Sequence, residues 1–417
     1  MGTRDARLAV ARARCATGPH DALLCDIRIA RGRITEIRSQ TTGLRGGSAD
    51  REVDLSGYLL LPGLINAHDH LEFALYPRLG NPPYHNYVEW GQDIHKSCAD
   101  LIAQHHAVPI DVRARWGGIR NLLSGVTTVA HHNPLLETMR RNDFPVRVIQ
   151  QYGWAHSVAL AKDICAARQA TPAGSPFMLH ACEGVDELAR EEVRSLDALG
   201  LLDESTVLVH GLALDADGVA LIKKRGASLV ICPSSNHFLF RKLPDLDLLR
   251  KTERVVLGSD SPLTAGGDLL DEIRFLIHAC NISPPEAFRM VTSASAAVFR
   301  LSDGEGAIKA PGVADLIAIR DTGGSPAERL GTLSMDEVEL VLLSGNVMLA
   351  SDPMMERLPD SVKAGLEPLL IGETIRWVRA PVNELLERAE AVFGEGQVRL
   401  AGRLVRAAAA CEVEHAG

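Results

Sequence analysis

Short apolar runs that end in polar or histidine residues dominate the middle of this 417-residue sequence. Most of them are followed by a helix-like stretch. The runs occupy residues 59–67, 126–130, 146–150, 177–179, 207–209, 228–231 and 255–257. Apolar strands that alternate with helices are typical of parallel β/α units buried on both faces of the sheet. At this chain length the pattern predicts an α/β fold with a closed (β/α) barrel.

The strand count is one short of the eight that such a barrel normally has. The interval between residues 150 and 177 has room for one helix, which we expect at 158–170. The fold class we predict is therefore a distorted (β/α)8-type TIM barrel. Two alternatives stay open, a very short strand in this interval or a barrel with one strand fewer.

Both ends of the chain have a different, β-rich texture. Residues 22–29 and 33–37 alternate apolar and polar positions, and a similar pattern returns at 313–319 and 338–345. This pattern predicts a small β-sandwich domain formed by both chain ends. We expect a solvent loop at 43–50.

We predict the domain boundaries from these patterns of apolar and polar residues. The N-terminal part of the β-sandwich domain is expected at 1–56 and the metal-binding barrel at 57–305. The C-terminal part of the sandwich is expected at 306–380. A helical tail at 381–417 would serve packing or dimer contact.

Composition excludes some classes of partner. The formal net charge is −9, which argues against nucleic acid or an anionic membrane as the main partner. The cysteines are scattered without a CxxC pair, and arginines interrupt the apolar runs of the first fifteen residues. We therefore expect a cytoplasmic protein with a small-molecule substrate, and homo-oligomerisation is left open.

Two histidines stand where the first predicted strand ends, in His68-Asp69-His70. Residues i and i+2 of a strand point to the same side, so both imidazoles can reach one metal ion at about 2.1 Å. Taken alone, the pair could equally be a chance HxH at a strand end.

Other strands also end in residues of the metal-ligand type. His180, His210 and Asp260 each follow a predicted strand, at the face where such barrels carry their active sites. Glu183 lies three residues after His180, where a carboxyl group can move protons in the same pocket. Its alternative role is that of a glutamate favoured at a helix start.

These segments carry a resemblance to a known family. PGLINAHDH at 62–70, HACE at 180–183, HG at 210–211 and GSDS at 258–261 resemble the amidohydrolase superfamily. Within it, the sequence is most similar to the cytosine-deaminase-like and chlorohydrolase-like branch. PGVADL at 311–316 resembles the segment with which these proteins re-enter their terminal β-domain.

The resemblance implies a role for each residue. His68, His70, His180 and Asp260 would bind one divalent metal ion, with zinc as the first choice and ferrous iron as the alternative. Glu183 would be the proton shuttle, and His210 would contact the metal-bound water or the substrate oxygen. The lysine that bridges two ions in two-metal members is missing. The nearest lysine, Lys162, falls in the expected helix.

The implied chemistry is hydrolysis by a metal-bound hydroxide. Asp260 would accept a proton from the water, and Glu183 would protonate a ring nitrogen or the departing amine. We therefore predict hydrolytic deamination of an amino-substituted nitrogen heterocycle, as in other zinc deaminases. Alternatives are hydrolysis of a cyclic amide or of another C–N or C–Cl bond and, remotely, a non-catalytic barrel scaffold.

Substrate contacts are expected in the loops that follow the strands. The candidates are Glu72, Trp90, His132, Trp154, His156, Asn236 and His237. Together these side chains suit a flat, polar nitrogen heterocycle. Each of them could instead serve packing, a turn or a helix cap.

Overall fold

The computed structural model describes residues 7–39 and 52–408, so the loop expected at 43–50 lies outside the described residues. In chain order, the strands are β1 (Arg7–Ala16), β2 (Ala22–Ala30), β3 (Arg33–Ser39), β4 (Glu52–Asp54), β5 (Tyr58–Pro62), β6 (Leu64–Asp69), β7 (Val126–His131), β8 (Arg147–Val148), β9 (Gly153–Ser157), β10 (Phe177–Ala181), β11 (Thr206–His210), β12 (Ser228–Ile231), β13 (Val255–Leu257), β14 (Gly312–Val313), β15 (Leu316–Arg320), β16 (Val338–Leu343), β17 (Asn346–Ser351), β18 (Glu367–Ile371), β19 (Thr374–Val378), β20 (Arg399–Leu400) and β21 (Arg403–Ala407).

Helices occupy most of the connections between the barrel strands. They are α1 (Tyr87–Ser97), α2 (Ala99–Ala107), α3 (Ile110–Leu123), α4 (Ile164–Gln169), α5 (Glu187–Ala198), α6 (Ala216–Arg225), α7 (Pro233–Phe240), α8 (Leu246–Leu249), α9 (Leu269–Cys280), α10 (Pro284–Met290), α11 (Ser293–Val298), α12 (Pro326–Thr332), α13 (Asp352–Arg357), α14 (Asp360–Lys363) and α15 (Val382–Phe393). None of the helices in the described residues combines the length and apolar character that a bilayer span requires.

Eight parallel strands, β6 to β13, form the barrel within the described residues. They pair in the orders β6-β7-β8 and β9-β10-β11-β12-β13. Where β13 meets β6, the backbone N–H of Asp260 donates to the carbonyl of His68 at 3.0 Å. The predicted distorted barrel, with a β-domain at the chain ends, is confirmed.

The strand missing from the sequence-based count is β9, Gly153–Ser157. Its residues alternate between buried and partly exposed positions instead of forming a continuous apolar run. The helix expected at 158–170 is only α4, Ile164–Gln169. The helix is shorter than expected because part of the interval between residues 150 and 177 forms this half-buried strand.

The run at 59–67 is also two elements instead of one strand. The chain leaves β5 (Tyr58–Pro62), which pairs with β15 of the terminal sheet, and enters the barrel at β6 (Leu64–Asp69). All residues of both strands are buried. Continuous burial gives the sequence no polar position to mark the division at Gly63.

The terminal sheet combines strands from both ends of the described chain. Its order is β14-β3-β2-β1-β5-β15-β16-β17-β19-β18-β21-β20, with β4 beside β1. The tail expected to be helical contains α15, but the chain then continues into β20 and β21, which belong to this sheet. The division of the chain at residues 56, 305 and 380 stays a prediction.

Candidate metal centre

Four side chains at the carboxyl ends of β6, β10 and β13 converge on one point. The Nε2 atom of His180 lies 3.3 Å from that of His68 and 3.4 Å from that of His70. Asp260 Oδ1 lies 3.5 Å from His68 Nε2 and 3.9 Å from His70 Nε2. Four ligands around a tetrahedral ion, with bonds of about 2.1 Å, stand roughly 3.4 Å apart. The donor atoms are therefore spaced as a divalent metal ion requires.

Two histidines of this cluster, His180 and His70, are buried in an environment that favours their neutral form. The Nδ1–H of His180 donates to the His156 carbonyl at 2.7 Å, which leaves the Nε2 lone pair facing the cluster. Burial, with His132 and His68 nearby, lowers the pKa of His180 well below its ordinary value. Burial and His68 do the same to the pKa of His70. A metal ion binds imidazole only when its nitrogen is deprotonated, so the environment favours metal binding.

Asp260 is held in its ionised form. Its carboxylate accepts hydrogen bonds from the Ser261 N–H at 2.6 Å, the Ser235 hydroxyl at 2.8 Å and the Thr264 hydroxyl at 3.1 Å. Burial opposes ionisation, but the hydrogen bond and charge of His68 outweigh it and keep the pKa of Asp260 well below its ordinary value. The carboxylate thus adds a fixed negative charge to the cluster.

A buried ion pair lies behind the cluster, and the sequence analysis missed it. Arg120 of α3 contacts Asp69 at 2.8 Å, and both side chains are almost completely buried. Arg120 also donates to the backbone carbonyl of Asp260 at 3.0 Å. It therefore ties the His68-Asp69-His70 segment to the loop after β13. The sequence gives little signal for this pair, because Arg120 is one of three arginines in α3 and its burial is known only from the structure.

Glu183 and His210 face each other beside the cluster. Glu183 Oε2 lies 3.5 Å from His210 Nε2, and the His210 Nδ1–H donates to Asn236 Oδ1 at 3.1 Å. Burial, with Asp260 and Glu192 nearby, raises the pKa of Glu183 well above its ordinary value. Burial lowers the pKa of His210 to about 4. The surroundings therefore favour the protonated form of the Glu183 carboxyl and the neutral form of the His210 imidazole.

Glu192 of α5 holds the turn that carries Glu183, and the sequence analysis did not single it out. Its carboxyl accepts the Cys182 N–H at 2.7 Å and the Tyr87 hydroxyl at 2.8 Å. The Tyr87 N–H in turn donates to the Glu183 carbonyl at 3.2 Å. The start of α1 and the segment after β10 are thus bonded to each other.

A cavity of about 290 Å³ opens over this cluster. His70, His180, His210, Glu183 and Asp260 line its inner end. Of the candidate substrate contacts, Trp90 and His156 line it as well.

The remaining candidates lie around the cavity. The His132 ring stacks on His180, with 4.2 Å between centroids, and one of its nitrogens lies within 4.8 Å of donors on His68, His70 and His180. Asn236 supports His210 from behind, as described above. The substrate roles of both residues stay predictions.

Three further candidates, like His132 and Asn236, are not among the residues that line the cavity. Glu72 accepts a hydrogen bond from the Asn133 amide at 2.6 Å. Trp154 packs edge-on against His132, with 6.0 Å between ring centroids. His237 is exposed and lies beside Phe275. Trp154 lies within β9 and His237 within α7, and the substrate roles of all three residues stay predictions.

Comparison with known proteins agrees with this geometry. Residues 154–348 match the family model described as the amidohydrolase family. A 5-methylthioadenosine/S-adenosylhomocysteine deaminase from Natronomonas pharaonis is 27% identical over 281 residues, which cover 54% of this chain and 63% of that protein.

Two solved structures have the same fold. The adenosine deaminase from Xanthomonas campestris, with bound zinc, superposes with a TM-score of 0.65 at 18% identity, covering 93% of this chain and 97% of that one. Atrazine chlorohydrolase from Arthrobacter aurescens TC1, complexed with zinc, gives a TM-score of 0.69 at 16% identity, covering 92% and 99%. The match of residues 154–348 to the amidohydrolase family model confirms the resemblance seen in the sequence, and the two solved structures show that the chain shares their fold.

Proposed function

We propose that this protein hydrolytically deaminates an amino-substituted nitrogen heterocycle, using one zinc ion bound by His68, His70, His180 and Asp260. The observation that carries the proposal is the position of Glu183. A buried carboxyl with a raised pKa faces the cavity beside the histidine cluster and lies against the neutral His210. Relatives named as deaminases of adenine nucleosides support the same reaction.

The choice of one zinc ion rests on the donor set. Three imidazole nitrogens and one carboxylate suit zinc, and ferrous iron suits them as well. The two solved structures that contain zinc favour the first metal. Lys162 is exposed in the turn before α4 and does not line the cavity, so it is not positioned to bridge a second ion.

Each polar residue has a proton to hold or move in this proposal. A bound divalent ion supplies a water molecule whose pKa falls from 15.7 towards roughly 7. Asp260 accepts the proton of the attacking water, and His210, held by Asn236, orients the oxygen. Glu183 donates its proton to a ring nitrogen of the substrate. As the C–N bond breaks, Asp260 gives the proton it took from the water to the leaving amine, and Glu183 takes up the proton of the added hydroxyl. The products are the oxo-heterocycle and ammonia.

An ammonia-release assay on the zinc-loaded protein tests the proposal. The substrates are aminopurines, aminopyrimidines, pterins and aminotriazines, and chloride release from chlorotriazines is followed in parallel. We expect ammonia from at least one ring class. Chloride release without ammonia would replace deamination with the chlorohydrolase alternative. Release of neither would favour a cyclic amide substrate or a non-catalytic scaffold.

A variant identifies the proton donor. Glu183→Gln should keep the metal ion but lower turnover by roughly 10²-fold or more, the scale of general acid–base catalysis. The control is Glu187→Gln, which removes an exposed carboxylate at the start of α5, four residues away. Native turnover in Glu183→Gln would remove Glu183 from the reaction.

The setting of the protein belongs to the same proposal. The net charge of −9 supports a small-molecule substrate over nucleic acid or an anionic membrane. Cysteines without CxxC spacing support the cytoplasm. A homo-oligomer stays an alternative to a monomer.

A further inference from the structure

The outer half of the substrate cavity has an apolar wall. It is formed by Phe73, Tyr76, Leu79, Ile94, Ile102 and Leu263, all of which line the cavity and belong to one hydrophobic cluster. The wall starts close to the metal end, because the Phe73 ring stacks on His70 with 5.6 Å between centroids. When the reacting carbon of a substrate lies at the histidine cluster, the other end of the substrate therefore contacts the apolar side chains of this wall.

The polar hydrogens of the aromatic residues in this region are bonded within the protein. The Tyr76 hydroxyl donates to the Ile102 carbonyl at 3.3 Å. The Trp90 indole N–H donates to the Leu79 carbonyl at 3.0 Å, and the Tyr87 hydroxyl donates to Glu192. Each donor is used within the protein, so these side chains face the cavity mainly with their rings.

Charged partners for a substrate are confined to the metal end. Among the described residues that line the cavity, Glu183 and Asp260 are the carboxylates, and neither lysine nor arginine occurs. His95 and His106 are exposed at the mouth. The hydroxyls of a sugar, or an anionic group, would lose water against the apolar wall, whose carbon atoms offer no hydrogen bond in return.

We propose that the substrate is an uncharged amino-heterocycle that carries a short alkyl or aryl substituent where a nucleoside carries its sugar. The apolar wall binds this substituent and selects against hydroxylated and anionic ones. The inference rests on the proposed deamination and adds the substrate class to it. A cavity of about 290 Å³ lies near the lower end of the range for small-molecule sites, which suits one ring system and a short substituent.

Matched compounds test the wall directly. Adenine, cytosine and an aminotriazine are each prepared with a propyl, a 2,3-dihydroxypropyl or a 2-carboxyethyl group, and ammonia release by the zinc-loaded protein is measured. For any ring that reacts, we expect kcat/KM for the propyl compound to exceed that for the dihydroxypropyl compound about 10- to 100-fold. The carboxyethyl compound should be poorer still. Equal rates, or a preference for the hydroxylated chain, would overturn the inference.

Binding of the oxo products separates this inference from the proposed function. Calorimetry compares the propyl and dihydroxypropyl forms of the deaminated rings on the same zinc-loaded protein. Tighter binding of the propyl form without ammonia release from any parent would reject deamination but support the apolar wall. Equal binding, or tighter binding of the hydroxylated form, would reject the wall.

A substitution locates the selectivity in the wall. Ile102→Gln changes a partly exposed residue of α2 without touching the proposed metal ligands. It should lower kcat/KM for the propyl compound about tenfold, mainly through KM, and narrow its advantage over the hydroxylated compound. The control is Leu188→Gln, at a position 57% exposed on α5, which should leave the ratio unchanged. If Ile102→Gln folds and the ratio of kcat/KM between the propyl and the dihydroxypropyl compound is unchanged, the inference is contradicted. If this variant does not fold, the compound series on the unaltered protein decides.

Discussion

Three residues of the candidate site have backbone angles that favour glycine. Cys182, His210 and Asp260 have φ values of 56°, 79° and 56°, in the left-handed region. Such a residue costs on the order of 1–3 kcal/mol unless its surroundings hold it. Glu192 accepts the N–H of Cys182, and the carbonyl of His68 accepts that of Asp260. Buried hydrogen bonds thus hold the bent strand ends that carry the site.

The proposed ligands can be tested one residue at a time. His68→Ala and Asp260→Ala should each lose most of the bound metal, because each removes one donor of the cluster, and the donors on His68 and Asp260 lie 3.5 Å apart. Metal content per chain, measured by elemental analysis, checks this prediction. The control is His237→Ala, which removes an exposed histidine outside the cavity and should keep the ion. Full metal retention in both ligand variants would rule out the assignment.

At the scale of elements, the contact between β13 and β6 sets the position of the site. A Cβ at Gly258, just after β13, would lie 2.6 Å from the Cβ of His68 and 2.8 Å from its backbone nitrogen. Real Cβ atoms are not found at such distances. The absence of a side chain at this position therefore allows the Asp260 carboxylate to lie 3.5 Å from His68 Nε2.

Gly258→Ala should therefore separate the two strands and weaken metal binding. We expect a lower metal content together with a melting temperature several degrees lower, because the backbone of β6 has to move. The control is Gly91→Ala in α1, where an added Cβ meets nothing within 4 Å and alanine favours the helix. Gly258→Ala with native metal content and native melting temperature would disprove the close-contact explanation.

At the scale of the whole molecule, buried carboxyls make stability depend on pH. Burial raises the pKa of Glu272 in α9 to about 8 and that of Glu192 to about 7. Both values lie above the 4.5 of an ordinary glutamate. The folded chain therefore binds more protons at these sites than the unfolded chain does. Their contribution to the free energy of unfolding is complete below about pH 4.5 and is lost as pH rises through 7 and 8.

Glu272→Gln should remove the larger of the two pH-dependent decreases in the free energy of unfolding, the one that comes from Glu272. Glutamine can still accept the Ser234 N–H, which Glu272 accepts at 2.8 Å, and it carries no charge to bury. Urea unfolding at pH 5, 6.5 and 8 should show a gain over the parent protein that grows with pH, to on the order of 3 kcal/mol at pH 8. The exposed Glu204→Gln is the control and should show no such growth. A gain that does not change with pH would disprove this explanation.

The sequence by itself determined the barrel class, the β-rich ends and the metal-binding residue types. These features are local: an apolar run followed by histidine or aspartate can be recognised without knowledge of its neighbours. The resemblance of 62–70, 180–183, 210–211 and 258–261 to a known family added the superfamily. It also gave Glu183, already a candidate from its position three residues after His180, the role of proton shuttle.

Only the tertiary structure decided where the remaining strands and side chains lie. β9 is short and exposed on one side, so it has no continuous apolar run that would identify it as a barrel strand. β5 and β6 are equally buried, so the sequence does not show that they belong to different sheets. Packing sets the direction of side chains such as Glu72 and His237, and the periodicity of the sequence does not reveal that direction. The apolar wall brings residues 73–102 together with Leu263, a contact that depends on closure of the barrel.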